Sequence, residues 1–123
     1  MIKKAVGLLG RELLAEIVKF YVRYTATHPE LSRLMTHEAR QDTWRIHYLT
    51  EKHIKPSSDA LRKPVMDTLE IDEQAFIHWY YIMVSANATI FSFAPEGELL
   101  FGIDSRQAGV VDAHAQMLVN MLL

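Results

Sequence analysis

The chain has 123 residues, of which 50% are hydrophobic and 23% are charged; this length and composition are typical of one folded domain and not of a disordered chain. Its formal net charge of -2 provides no positive field for a phosphate backbone, so nucleic-acid binding by these residues is not expected. The sequence contains no cysteine, which excludes disulfides and thiolate metal sites and fits a cytoplasmic protein.

Residues 1–10 have a basic start but no sustained apolar stretch, which argues against a signal peptide. We interpret them as a residual linker or artificial N-terminus, and residues 11–123 as one domain. From Arg11 to about His28 apolar side chains recur at three- and four-residue spacing, which predicts an amphipathic helix. Pro29 favours a boundary there and opens a short second helix, predicted to end near Met35.

A third helix is predicted to begin at Thr36 or His37 and to run through Ile54. Pro56 is expected to interrupt or kink it before a further helix that runs through Leu69. No segment of the sequence alternates convincingly between apolar and polar residues, which is the pattern of a strand. The predicted fold class is therefore all-α.

The last third of the chain contains the clearest helix signals. Asp72 is a suitable N-cap for a long helix, and Pro95 should prevent that helix from continuing. A short helical turn closed by Gly102 is expected next. Asp104 or Ser105 is then predicted to cap a last helix that reaches the C-terminus.

Residues 76–94 carry no formal charge and approach the roughly 20 residues needed to cross a bilayer. His78, Ser85 and Asn87 lie within this stretch, and no basic flank sets an orientation, so we do not expect a membrane span. An uncharged helix that does not span a membrane is one that is buried on both sides.

The two long helices near the C-terminus have more apolar surface than one small domain can easily cover. Pairing them with a symmetry mate would form a four-helix dimer interface, and small side chains on the first of them would allow close approach. The alternative is that these residues only fill a tight monomeric core. The candidate interface residues are Trp79, Met83, Ser85, Ala86, Ile90, Val111, His114, Ala115, Leu118 and Leu122.

One segment resembles a known family. Phe20–Met35 reads FYVRYTATHPELSRLM, which is similar to the helix, HPEL turn and helix of TetR-family C-terminal domains. Further segments look like successive landmarks of that domain in their usual order: Glu38–Arg40, Leu49–Pro56, Ser92–Glu96 and Ala113–Val119. The resemblance covers Arg11 to Leu123.

The resemblance implies a transcriptional regulator, repressor or activator, that forms a homodimer through its last two long helices and holds a small effector inside each subunit. Nothing before Arg11 matches the three-helix DNA-binding headpiece of such proteins. DNA binding would therefore belong to a parent protein, and the chain would be an excised domain, a proteolytic remnant or a natural truncation.

A helical effector pocket needs apolar walls and a few polar groups. The candidate ligand-binding residues are Tyr21, Tyr24, Trp44, His47, Tyr48, Glu51, His78, Tyr81, Asn87 and Phe91. Aromatic walls suggest an apolar or planar effector, although the same residues could simply be core packing. His47 and Glu51 are four residues apart, which fits a pocket hydrogen bond, two metal ligands or a surface pair. We predict no metal site and no cofactor.

Three functions remain open from the sequence. The first is a sensor domain whose effector binds two conformations unequally, and the second is a ligand-free interaction module that pairs with a full-length regulator. The third is a small helical-bundle enzyme. No recognised catalytic motif is present, and Asp112 and His114 point to different faces of one helix, so we do not expect an enzyme and predict no catalytic residue.

Overall fold

The computed structural model describes the backbone of residues 2–123 and the side chains of residues 10–123. These residues form an all-α fold without strands, as the sequence predicts. The elements are α1 (Ile2–Thr27), α2 (Pro29–Ala39), α3 (Trp44–Leu49), a π-helical turn (Thr50–Ile54), α4 (Lys55–Leu69), α5 (Glu73–Ser92), α6 (Ala94–Phe101) and α7 (Ala108–Leu122). Because the π turn joins α3 and α4 without a break, the described chain has six separate helices.

Helix α5 is the centre of the bundle. It packs against α1, and both helices contact α4 and α7. Helix α2 covers part of α5, whereas α6 contacts only α5. The core that these helices enclose consists of Leu14, Val18, Val22, Leu61, Val65, Phe76, Trp79, Met83, Phe91, Ala115 and Leu118. Each large apolar side chain in it stabilises the fold by about 1.5–3 kcal/mol.

Helix α1 is longer than predicted, because its backbone is already helical at Ile2 instead of beginning near Arg11. The predicted linker, residues 1–10, is thus helical from residue 2, while Met1 and the side chains of residues 1–9 lie outside the described part. Gly10 allows α1 to approach α4 closely, since a Cβ atom there would lie 2.6 Å from Thr68 Oγ1. The helix ends at Thr27, just before His28, as the sequence predicts.

The middle of the chain departs most from the prediction. Helix α2 continues to Ala39, and α3 begins only after Thr43, whose side chain accepts a hydrogen bond from the Ile46 N–H at 3.4 Å. Pro56 does not interrupt the helix. The π turn lies just before it, with the Lys55 N–H bonded to the Thr50 carbonyl, and Pro56 is the second residue of α4.

The ends of α5 and α6 confirm the predicted caps. Asp72 accepts the Ala75 N–H at 2.8 Å, and Gly102 closes α6 in the left-handed conformation with φ 66°. The predicted cap of the last helix is wrong, because α7 begins after Gln107. Asp104 instead accepts the backbone N–H of Arg106 at 3.0 Å, so its side chain closes the preceding turn.

Among the described helices, none combines the length and the apolarity that crossing a bilayer requires.

Candidate functional site

Helix α5 has an inward and an outward side, and both are rich in apolar residues. The inward side carries the buried residues Phe76, Trp79, Met83, Asn87 and Phe91. Apolar side chains elsewhere on the helix remain exposed, namely Ile77, Tyr81, Ile82 and Val84, which are 48%, 65%, 57% and 42% exposed. Helix α5 of the single chain therefore has exposed apolar side chains, as the sequence predicts.

Helix α7 shows the same division. Ala115 and Leu118 are buried against the core, whereas Met117 and Met121 are 56% and 76% exposed. Two hydrogen bonds hold α7 against α5. His114 Nε2 donates to the Ala86 carbonyl at 2.7 Å, and Trp79 Nε1 donates to the Leu122 carbonyl at 3.2 Å.

The exposed residues beside this seam form one surface, which we call the outward face. It consists of Ile82, Ser85 and Thr89 on α5 and Met117 and Met121 on α7, which share one side of each helix by their three-, four- and seven-residue offsets, and the half-buried Val110 lies on the same side of α7. After Glu73 helix α5 has no charged residue, and α7 has only Asp112, which pairs with Arg23 of α1 at 3.7 Å. Charge depletion of this kind is characteristic of the cores of protein–protein interfaces.

The ten predicted interface residues are distributed differently from this surface. Trp79, Met83, Ala115 and Leu118 pack inside the subunit and present no surface to a partner. The half-buried ones lie at or near the α5–α7 seam, namely Ala86, Ile90, Val111, His114 and Leu122, and Ser85 is exposed. Ile82, Thr89, Met117 and Met121 belong to the outward face but were not among the ten predicted residues, because the sequence does not show which apolar side of each helix faces the core.

Three of the ten predicted ligand residues belong to a series of aromatic rings on α1 and α5. Tyr24 stacks on His28 with ring centroids 4.2 Å apart, and Phe20 lies 6.2 Å from both Tyr24 and Tyr21. On α5 the Tyr80 and Tyr81 rings meet edge to face at 5.4 Å. We call Phe20, Tyr21, Tyr24, Tyr80 and Tyr81 the aromatic surface.

The pKa of Tyr80 reflects its burial and its tyrosine neighbours. It is raised above its ordinary value of 10.0 by burial, and then by the nearby hydroxyls of Tyr21 and Tyr81. Tyr80 therefore keeps its proton to a higher pH than an ordinary tyrosine. An apolar or planar molecule could pack against such rings.

Two other candidates, His47 and Glu51, lie in a separate groove between the end of α2 and the π turn. This groove has a volume of about 640 Å³ and is lined by Ala39, Arg40, Gln41, Asp42, Ile46, His47, Thr50, Glu51 and Lys55. The partner of His47 is Asp42, with Nε2 2.6 Å from Oδ1. Trp44 and Tyr48 on α3 are 74% and 54% exposed and are not part of the lining.

A further groove of about 470 Å³ lies between α1 and the start of α7. It is lined by Arg23, Ala26, Thr27, Arg106, Ala108, Val111 and Asp112, and contains none of the predicted ligand residues.

The remaining candidates do not converge. Asn87 is 5% exposed, and its buried Oδ1 has no hydrogen-bond partner among the described residues. Phe91 is buried with its ring centroid 5.6 Å from that of His114, whereas His78 is exposed on α5. Within the described residues there is no group of three or more histidine, aspartate or glutamate side chains that could bind a metal ion.

Comparison with known proteins adds no relative. No family model, no curated protein and no solved structure matches this chain.

Proposed function

We propose that this chain is the dimerisation and effector-binding domain of a TetR-like transcriptional regulator, and that DNA is bound by a separate headpiece of the parent protein. The observation that carries the proposal is the outward face. It combines exposed apolar side chains with an absence of charge, and it lies on the two long C-terminal helices that the resemblance assigns to dimerisation.

A second copy of the chain is the simplest partner for this face. In two copies related by a two-fold axis, the outward face of one subunit contacts the outward face of the other. Because this face has no charged residue, the contact causes no repulsion between like charges. The pairing places α5 and α7 of each subunit in a four-helix bundle. Methionine suits such a contact because its flexible side chain adapts to a neighbouring surface.

The aromatic surface is the proposed effector site. Phe20 and Tyr24 are 62% and 44% exposed, and Tyr81 is 65% exposed, so these rings are accessible to a molecule that packs between α1 and α5. Because α5 carries both the outward face and part of the aromatic surface, an effector that binds one arrangement of α5 more tightly would change the geometry of the dimer.

One observation favours the ligand-free interaction module as a second candidate. The two grooves described above are both open to solvent, and neither is lined by a residue of the aromatic surface. A module that pairs with a full-length regulator needs the outward face but no enclosed effector cavity.

Native mass spectrometry of protein purified without added ligand tests the proposal, because it reports the number of subunits and any retained small molecule together. A dimer with one additional small mass per subunit supports the sensor domain. A dimer without added mass supports the outward face as an interface and is compatible with both candidates. A monomer at micromolar concentration contradicts the proposed pairing of two copies through the outward face.

A further inference from the structure

The two most exposed methionines of the described chain lie one turn apart on α7. Met117 and Met121 are 56% and 76% exposed, and their four-residue offset places both on one side of the helix. The other methionines with described side chains are less accessible, since Met83 is 2% exposed and Met35 and Met66 are half-buried. The thioether groups that solvent reaches most easily are therefore concentrated at one place on the surface.

The side of α7 that carries this pair has no charged residue. Asp112 is the charged residue of the helix; it precedes Met117 by five positions, which is about 140° around the axis, and it pairs with Arg23 of α1. Both methionines belong to the outward face, for which we propose a second copy as the partner. A polar group added to either sulfur would lose its hydration in that contact, which disfavours pairing.

Oxidation by hydrogen peroxide adds such a group to a methionine. The thioether sulfur attacks one peroxide oxygen, so that an S–O bond forms while the O–O bond breaks. The proton of the attacked oxygen passes to the leaving oxygen, which departs as water. Sulfur is thereby oxidised by two electrons to the sulfoxide, and the peroxide is reduced by the same two. Enzymes that reduce methionine sulfoxide restore the thioether, so the change is reversible.

We infer that Met117 and Met121 form a peroxide-sensitive modification site, and that their oxidation to sulfoxide separates the two subunits. The inference rests on the proposed dimerisation and adds a means of reversing it. A two-fold dimer contains each methionine twice, so complete oxidation adds four sulfoxide groups to one interface. Pairing of the outward faces also covers sulfurs that the monomer exposes. Oxidation therefore acts on the monomer and, by mass action, shifts the equilibrium away from the dimer.

Peptide mass mapping after brief exposure to hydrogen peroxide tests the site. Well below the dimer dissociation constant, Met117 and Met121 should be oxidised faster than the buried Met83. At least about tenfold above the dissociation constant, their oxidation should slow at least about threefold, because most of the protein is paired. Met35 on α2 is the internal control, and its rate should not depend on protein concentration. Equal rates at Met35 and at the α7 pair under all conditions would contradict the inference.

Sedimentation equilibrium before and after peroxide tests the consequence for assembly. Oxidation should raise the dissociation constant of the wild-type dimer at least about 100-fold. The double variant Met117→Leu, Met121→Leu keeps an apolar side chain at both positions but has no sulfur to oxidise there. Its dissociation constant after peroxide should stay within about twofold of its own value before peroxide. The matched control Met35→Leu, Met66→Leu lacks the same number of thioethers elsewhere and should respond like the wild-type protein.

The outcomes separate this inference from the proposed dimerisation. If the wild-type dimer persists although both sulfoxides are found by mass, the inference is wrong and the proposed dimer remains. If Met117→Leu, Met121→Leu dissociates on oxidation as the wild-type protein does, other residues cause the loss and the inference is again wrong. A wild-type protein that is monomeric before peroxide contradicts both. Circular dichroism establishes that oxidised protein keeps its helix content.

Discussion

The outward face and the outer side of α1 both expose large apolar side chains, but they differ in charge. On α1, Leu13 and Phe20 are 59% and 62% exposed, and charged residues surround them; Lys19 Nζ lies 3.8 Å from Glu16 Oε1. On the outward face, Met117 and Ile82 are exposed to the same degree without a charged neighbour on their helical side. Exposure of apolar residues alone therefore does not identify an interface, whereas exposure combined with charge depletion does.

The largest expected effect is a difference in the free energy of unfolding between variants on the inward side and variants on the outward side of α5. Met83→Ala should lower the free energy of unfolding by about 2–5 kcal/mol, because Met83 is 2% exposed and its truncation leaves a cavity. Ile82→Ala, one residue away, should change the stability of the monomer by less than about 0.5 kcal/mol, because Ile82 is 57% exposed. Urea unfolding below the dimer dissociation constant measures both. Equal losses would show that Ile82 is also packed within one subunit.

The second prediction compares the outward face with the exposed side of α1 by the effect of a new charge on the dimer dissociation constant. Met117→Glu should raise the dimer dissociation constant at least about 100-fold, because it places a charge in an interface without a partner. Leu13→Glu introduces the same charge at a residue of similar exposure on α1 and should leave the dissociation constant unchanged. Sedimentation equilibrium at several concentrations measures the difference. A comparable effect from both variants would refute the assignment of the interface to α5 and α7.

These two predictions depend on a detail that the sequence could not provide. Ile82 and Met83 are both apolar and adjacent, so periodicity shows that the helix is apolar on two sides but not which side faces the core. Tertiary packing decides this, since Met83 turns toward the core that α1 and α7 complete. In contrast, the ends of α5 were predictable because Asp72 and Pro95 act through local backbone chemistry.

A smaller effect is expected inside the core, at Asn87. Asn87→Leu should raise the free energy of unfolding by about 1 kcal/mol, because it removes a buried carbonyl oxygen without a hydrogen-bond partner. Gln116→Leu on the exposed side of α7 is the control and should have little effect. Thermal unfolding of both variants measures the change. A lower free energy of unfolding for Asn87→Leu would mean that the contacts of the Asn87 amide stabilise the fold by more than its unpaired oxygen destabilises it.

The smallest effect concerns alkaline pH. The folded-state pKa of Tyr80 is raised, so above its ordinary value of 10.0 the unfolded chain releases this proton more readily than the folded one. Stability should therefore fall as the pH rises through that range, and Tyr80→Phe should reduce the fall. Urea unfolding at about pH 9 and pH 11 measures it, with the exposed Tyr48→Phe as control. If the stability of Tyr80→Phe falls with pH as much as that of the wild-type protein, the loss of stability comes from other groups.

The candidate effector site was only partly predictable. Tyr21 and Tyr24 follow from their spacing on α1, and Tyr81 from the exposed side of α5. Phe20 and Tyr80, whose rings lie beside those of Tyr21 and Tyr81 on α1 and α5 respectively, were not selected, because a single helix pattern does not show which side chains the tertiary packing leaves accessible. Trp44 and Tyr48 of α3 lie instead beside Arg45 and His53, and no residue type in Thr50–Ile54 predicts the π turn that follows α3.

The π turn has a further consequence for α3. A π turn holds one residue more than the α-helical turn that it replaces, and in an α-helix one residue corresponds to a rotation of about 100°. The directions of Trp44 and Tyr48 relative to α4 are thus determined by a single surplus residue between Thr50 and Ile54. Removing one residue from this segment would leave the core of α4 in place while turning the aromatic side chains of α3 through roughly a quarter of a circle.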